Sequence, residues 1–190
     1  MTTTTAAAAT AVPSTTKATT TTTVTTTTLP AQLPEKLEDP RIVVRKGDRQ
    51  LELWTGETLC ARYPIALGFA PEGHKQLEGD GRTPEGTYYV CTRNGKSKFY
   101  LSLGLSYPNS DDAAAALEDG RIDRKTCDKI TEAIDQGKRP PWDTALGGAI
   151  MIHGMGSEGD WTHGCIAVEN DVMDILWQHC TIGTPVTVLP

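Results

Sequence analysis

The chain has no C-x-x-C pair, no apolar run of membrane-spanning length and no surplus of basic residues. Without paired thiols at short spacing a structural zinc knuckle is excluded. No stretch approaches the roughly 18 apolar residues that a spanning helix needs, and the amino terminus shows no apolar signal-peptide core. The formal charge is −6, with basic residues scattered among acids, which excludes a nucleic-acid binder because phosphate binding needs a basic face. No internal repeat is present, so a solenoid is excluded as well.

Up to Pro34 the residues are nearly all Thr and Ala, with Lys17 as the one charge. Such a segment has almost nothing to bury and cannot offset chain entropy, so residues 1–34 are expected to be a disordered leader or linker, open to glycosylation. Residues 35–190 are then the folded unit, enough for one domain and one core. Five cysteines stand at 60, 91, 127, 165 and 180. The number is odd, so at least one has no partner within the chain. All but Cys165 sit in apolar patterns and read as small buried hydrophobes.

The first half of the folded unit is strand-like. Arg41–Val44 and Gln50–Trp54 flank the turn residues Lys46-Gly47-Asp48 and predict a hairpin. Cys60–Gly68, Gly86–Cys91 and Phe99–Leu103 predict further strands. The period then changes. Asn109 or Ser110 can cap an Ala-rich helix over Asp111–Asp119, stopped by Gly120, and Cys127, Ile130 and Ile134 share a face of a second helix stopped by Gly137. Ala149–Ile152 returns to strand and runs into His153-Gly154. Asn170 or Asp171 can cap a third helix with Met173, Leu176, Trp177 and Cys180 on one face, and Pro185–Leu189 supplies a closing strand.

Two polar groups stand where strands end: His153 after an apolar run and His163-Gly164-Cys165 before one. A rim imidazole within reach of a thiol is what a cysteine nucleophile needs, since its reactive form is the thiolate. Gly154 and Gly164 could let backbone N–H groups turn toward a nascent oxyanion. Residue types and spacing leave other readings open. His153, His163 and Cys165, with Asp160 or Glu158, could ligate zinc; Cys165 could pair with Cys180; and His153 could be a satisfied histidine beside a turn.

Ile152-His153-Gly154 followed by Trp161-Thr162-His163-Gly164-Cys165-Ile166-Ala167-Val168 resembles the active-site signature of the L,D-transpeptidase catalytic domain, the YkuD domain. Upstream, Gly79-Asp80-Gly81-Arg82-Thr83-Pro84-Glu85-Gly86-Thr87-Tyr88 is similar to the family's G-D-x-x-T-P-x-G-x-Y segment. The resemblance covers roughly 41–190. It implies a mostly β fold, a sandwich or flattened barrel with a few helices at the rim, and a cofactor-free cysteine enzyme acting on peptidoglycan stem peptides outside the cytoplasmic membrane, of a kind that carbapenems acylate. By matching positions, Cys165 would be the nucleophile, His153 its general base and His163 a supporting residue. The N–H groups of Gly164 and Cys165 would be oxyanion donors, and the Thr162 hydroxyl would hold the loop. An amine acceptor would give a cross-link, and water a carboxypeptidase. A binding module that holds wall peptides without turning them over is the non-enzymatic alternative.

Two departures stand out. Many members of the family have Arg two residues past the cysteine, where this chain has Ala167, and a longer flap than the nine positions from His153 to Thr162. Arg82 and Trp161 are candidate substrate contacts. Lys75, Arg82 and Arg139 could replace the missing cation, although each also reads as an ordinary surface charge.

Overall fold

The computed structural model describes residues 1–3 and 33–190; the leader assigned to 1–34 lies, for residues 4–32, outside the described residues. The folded part is a single eight-stranded sheet and three helices. The strands are β1 (Pro40–Arg45), β2 (Gln50–Thr55), β3 (Thr58–Pro64), β4 (Gly86–Ser97), β5 (Tyr100–Leu105), β6 (Met151–His153), β7 (Ile166–Ala167) and β8 (Pro185–Leu189). The helices are α1 (Ser110–Glu118), α2 (Arg124–Asp135) and α3 (Asn170–His179). Across the sheet the order is β3-β2-β1-β8-β4-β5-β6-β7.

The predicted β1–β2 hairpin forms, with Val44 opposite Leu51 and Ile42 opposite Leu53. β1 carries three consecutive buried residues, Ile42, Val43 and Val44, as a strand covered on both faces must. β8 lies between β1, which it pairs in parallel, and the first half of β4, which it pairs antiparallel. The second half of β4 leaves β8 and pairs with β5 after a register shift between Val90 and Thr92. A bulge of this kind bends a strand and sharpens its twist, and here it turns the sheet toward β6 and β7.

The far edges of the sheet meet. Ala66 and Ala167 exchange two backbone hydrogen bonds of 2.9 Å each, Thr162 N–H donates to Leu67 O at 3.1 Å, and Phe69 N–H donates to Thr162 O at 2.9 Å. The run that follows β3 therefore closes against the segment leading into β7, and the sheet curls round a core that includes Ile42, Leu53, Leu103, Ile152, Ile166 and Val188. The expected mostly β, flattened-barrel fold with helices at its rim is the one observed.

The helices follow the predicted pattern with one correction. Asn109 is the N-cap of α1, in a reciprocal capping box with Asp112, and Gly120 takes φ +71 just beyond the C-terminus. In α2, Cys127 and Ile130 are buried and Ile134 packs beside them. For α3 neither Asn170 nor Asp171 is the cap: Glu169 holds that position without a side-chain cap bond. The reason is competition, because Asn170 Oδ1 accepts Met155 N–H at 3.0 Å and Glu169 Oε1 accepts Ser157 N–H at 2.9 Å. Both side chains are spent on the flap after His153.

Strand β6 is also displaced from its expected start. It begins at Met151 rather than Ala149, since Ala149 adopts a left-handed φ of +54 that no ladder accommodates.

At the closure an added methyl has no room. A Cβ on Gly68 would stand 2.0 Å from Gly81 O and 3.0 Å from Gly164 Cα, backbone atoms that cannot swing aside. Gly68→Ala is expected to destabilise the domain by about 3 kcal/mol, the upper range for overpacking; urea unfolding at equilibrium measures it.

Candidate active site

Cys165 sits where the closing segment leaves its partner and enters β7. β6 and β7 are parallel, with Ile152 opposite Ile166 and His153 opposite Ala167. Successive side chains alternate between faces, so both isoleucines enter the core while His153 and Cys165 share the other face, diagonally adjacent on neighbouring strands. The register thus sets the two residues on one face of neighbouring strands. Cys165 is half-buried and His153 almost fully buried.

The loop around the sulfur is fixed by one hydroxyl. Thr162 Oγ1 donates to Cys165 O at 2.7 Å and accepts Gly164 N–H at 3.1 Å. Gly164 bridges the two with φ +119, and a Cβ there would stand 2.6 Å from Arg82 O, so only glycine fits. This corrects one expectation: the Gly164 N–H faces the Thr162 hydroxyl and not an oxyanion. Gly154 is corrected likewise, because its N–H donates to Phe99 O at 3.1 Å. Gly154 is required for close packing, since a Cβ would meet Asn170 Oδ1 at 2.4 Å. The N–H groups of His163 and Cys165 have no hydrogen-bond acceptor among the described residues.

The sulfur has two polar neighbours. Met151 N–H donates to Sγ at 3.4 Å, and the thiol donates to Ala149 O at 3.6 Å. The left-handed Ala149 that delays the start of β6 is the residue that turns this carbonyl to the thiol. Burial pushes the Cys165 thiol up, against the downward pull of the Met151 N–H and the Lys75 charge.

His153 Nδ1 lies 2.7 Å from Gly154 O. A carbonyl only accepts, so Nδ1 carries the proton and Nε2 is the basic nitrogen. Burial lowers the imidazole pKa below its ordinary 6.5, opposed by the Gly154 bond, which raises it. The ring is packed by Phe99, stacked at 4.7 Å and 26°, and by the Trp161 edge at 5.5 Å. No hydrogen bond joins Cys165 to His153 among the described residues.

The remaining candidates separate. Trp161 is 40% exposed at the mouth of the site. His163 is exposed and meets Phe69 edge-on at 5.4 Å, away from the sulfur's hydrogen bonds. Arg82 supplies its backbone to the wall behind Gly164, while its guanidinium lies beside Gly73. Lys75 is not a surface charge: it is 3% exposed, with Nζ 2.9 Å from Asp80 Oδ1 and 2.8 Å from Leu77 O. Arg139 is exposed and stacks over Trp142 at 4.7 Å. Ala167, in place of the family arginine, is fully buried in the sheet closure.

Two readings that the spacing left open fail. Asp160 is held by Arg49 and by Leu67 N–H, and among the described residues no three or more His, Cys, Asp and Glu side chains group to hold a metal. Cys165 and Cys180 are both free thiols. The other cysteines are buried, and burial raises Cys91 to about 11 and Cys180 to about 12.

Sequence reasoning missed the second layer of the site. Asp80 accepts from Gln76 N–H, Leu77 N–H, Arg82 N–H and Lys75 Nζ. Burial alone would raise its pKa, but these bonds outweigh it and hold the carboxyl low. Thr83 Oγ1 accepts Gly68 N–H at 3.1 Å. Both belong to the G-D-x-x-T-P segment, whose spacing marked the residues but not their partners. Lys46 and Arg49, in the β1–β2 turn, gave no signal: a turn with charged residues reads as solvated.

A half-buried thiol thus sits on the closure of a curled sheet, one strand from a buried imidazole. Residues 39–188 match the family model for the L,D-transpeptidase catalytic domain, YkuD, and the chain belongs to that family. Among solved structures it is similar to Bd1075 of Bdellovibrio bacteriovorus, with 22% identity and a TM-score of 0.53, covering 83% of this chain and 53% of that one. A mutant of the helical cell shape determining protein Pgp2 of Campylobacter jejuni matches with 22% identity and a TM-score of 0.53, covering 80% of this chain and 47% of that one. These likenesses are of fold, and the chain spans about half the length of each neighbour. No curated protein matches it in sequence.

The imidazole environment has a consequence for stability. An unfolded histidine takes up its proton near 6.5, whereas folded His153 resists protonation to lower pH; burial acts the same way on His179. The unfolded state therefore binds more protons, and stability is full above 6.5 and falls as pH drops through the lowered folded values. Denaturant midpoints between pH 7 and 5 should fall, and His153→Gln should reduce that fall.

Proposed function

We propose that the domain is a cysteine L,D-transpeptidase that acts on peptidoglycan stem peptides through a thioester on Cys165. Family membership supports the reaction class. The observation that carries the assignment of roles is the shared face of Cys165 and His153, with the imidazole proton parked on Nδ1 by Gly154 O and Nε2 left as the base.

The resting pair is neutral, so activation is coupled to substrate arrival. As Sγ attacks the amide carbon between an L-centred diamino acid and a terminal D-alanine, its proton passes to His153 Nε2. A carbon–sulfur bond forms, the carbon–nitrogen bond breaks, and the imidazolium returns the proton to the departing amine of D-alanine. Apo geometry without a direct thiol–imidazole bond is compatible with this, because such contacts tighten in the Michaelis complex. The N–H groups of His163 and Cys165, which have no acceptor among the described residues, are the proposed donors to the tetrahedral oxyanion, a role in which one donor contributes roughly 3 kcal/mol. Thr162 and Gly164 shape the loop that presents them. Trp161 forms part of the approach to the sulfur, and Arg82 contributes through its backbone.

An amine of a second stem then attacks the thioester: a carbon–nitrogen bond forms, the carbon–sulfur bond breaks, and the amine's proton passes through His153 Nε2 to Sγ, giving a cross-link; water in its place gives L,D-carboxypeptidase activity. The acceptor that wins is set by effective molarity against water at about 55 M. No metal or other cofactor enters either step. A peptidoglycan substrate puts the domain outside the cytoplasmic membrane, and no helix among the described residues is long and apolar enough to cross one.

The test is chemical. Purified protein incubated with disaccharide-tetrapeptide should release D-alanine and yield tripeptide monomer, cross-linked dimer or both, and a carbapenem should add its mass to the wild type but not to Cys165→Ala. Saturable muropeptide binding without D-alanine release, and with no adduct on Cys165, would instead mark a binding module.

With a neutral resting pair, the acylation rate should be level from pH 7 to 8.5 and fall on an acid limb lying below 6.5, the ordinary imidazole value that burial lowers in His153. A rate already rising steeply through pH 7 to 8.5 would contradict the base assignment; stopped-flow loss of carbapenem absorbance gives the profile.

A further inference from the structure

We infer that Asp160 and Arg49 form a positioning pair that sets the Cys165 loop for attack, a role that rests on the reading of Cys165 as nucleophile. Asp160 stands where the flap after His153 becomes the closing segment. Its Oδ1 accepts Leu67 N–H at 2.9 Å and Arg49 Nε at 3.1 Å, and its Oδ2 accepts Arg49 Nη2 at 2.7 Å and Nε at 3.1 Å. The carboxylate is thus tied at once to the run after β3 that the closing segment pairs with and to the turn between β1 and β2.

Arg49 is itself held. Its backbone takes a left-handed φ of +52, its N–H donates to Lys46 O at 3.2 Å and its carbonyl accepts Ile65 N–H at 3.1 Å. Nη1 also donates to Lys46 O. The turn is anchored below by Lys46, 2% exposed, whose Nζ meets Gly73 O at 2.6 Å, Glu85 Oε1 at 2.8 Å and Thr83 O at 2.9 Å. One turn therefore grips both walls of the site: the 73–85 wall through Lys46, and the cysteine loop through Arg49.

Position passes from Asp160 to the sulfur along bonded atoms. Two residues on, Thr162 is fixed by Leu67 O and Phe69 N–H, and its hydroxyl fixes Gly164 N–H and Cys165 O. Stability alone does not account for this arrangement. The side chains of Arg49 and Asp160 are 39% and 20% exposed, and such a pair contributes about 1 kcal/mol or less to folding. A displacement of about 1 Å at a reacting atom, by contrast, costs about a hundredfold in rate.

The discriminating measurement is carbapenem acylation of the full chain, resolved into an initial dissociation constant and an acylation rate constant, for wild type, Asp160→Asn, Arg49→Gln and the double variant. Each single variant should lose about tenfold or more in the rate constant, with the dissociation constant within twofold and the melting temperature within a few degrees. The double should be no slower than the slower single, as for two residues acting as one unit. Rate constants within twofold of an acylated wild type would overturn the inference, as would losses in the two singles that multiply in the double. A wild type that takes no adduct would sink the nucleophile reading, and this inference with it.

Discussion

The backbone closure between residues 65–69 and 160–167 is the constraint on which the rest of the structure depends. An eight-stranded sheet left open would present the end of β3 and the two-residue β7 as bare edges. By pairing Ala66 with Ala167 and Gly68 with Thr162 the chain satisfies those edges and, in the same stroke, suspends His163, Gly164 and Cys165 between two fixed points. The small residues follow from this. Ala66, Ala167 and Gly68 stand where two backbones approach within hydrogen-bonding distance and a third, at Gly81, lies against them. An arginine at 167 would have to displace this packing, which gives a steric meaning to the departure from the family pattern.

The site is built by withdrawing polar groups from their usual uses. Ala149 leaves the ladder and turns its carbonyl to the thiol. Glu169 and Asn170 forgo capping α3 and hold the flap. Thr162 spends both hydrogen-bonding capacities of its hydroxyl inside its own loop. Each diversion costs local regularity, and each lies within a few residues of the sulfur or the imidazole. Such concentration of local exceptions is where a rigid scaffold stores geometry for chemistry.

Much of this was legible in the sequence because the signals were local. The β1–β2 hairpin, the caps and stops of α1 and α2 and the apolar face of α3 all follow from spacing within a few residues. The illegible parts were partners that only the folded chain brings together. Nothing in Lys46-Gly47-Asp48-Arg49 indicates that its first cation lies buried under Gly73 and Thr83, or that its last reaches Asp160, more than a hundred positions away. Lys75 read as a surface charge because its partner carboxylate becomes adjacent only when the loop folds back on Asp80. The glycines of the two His-Gly and Gly-Cys steps were readable as required, but the cause was mistaken: they make room for side chains and backbone, and their own N–H groups are already engaged.

The excursion between Leu105 and Met151 carries both α1 and α2, yet adds no strand to the sheet. Its departure and return are stapled by the Tyr107 hydroxyl, which lies 3.2 Å from Leu146 O and 3.4 Å from Lys75 O. Between those points Ala113, Ala116, Cys127 and Ile130 of the two helices join the main core, and α1 frames, with the start of β4 and the end of β8, a cavity of about 610 Å³ that Cys165 does not line. The excursion therefore shapes a second concavity whose walls are set apart from the thiol.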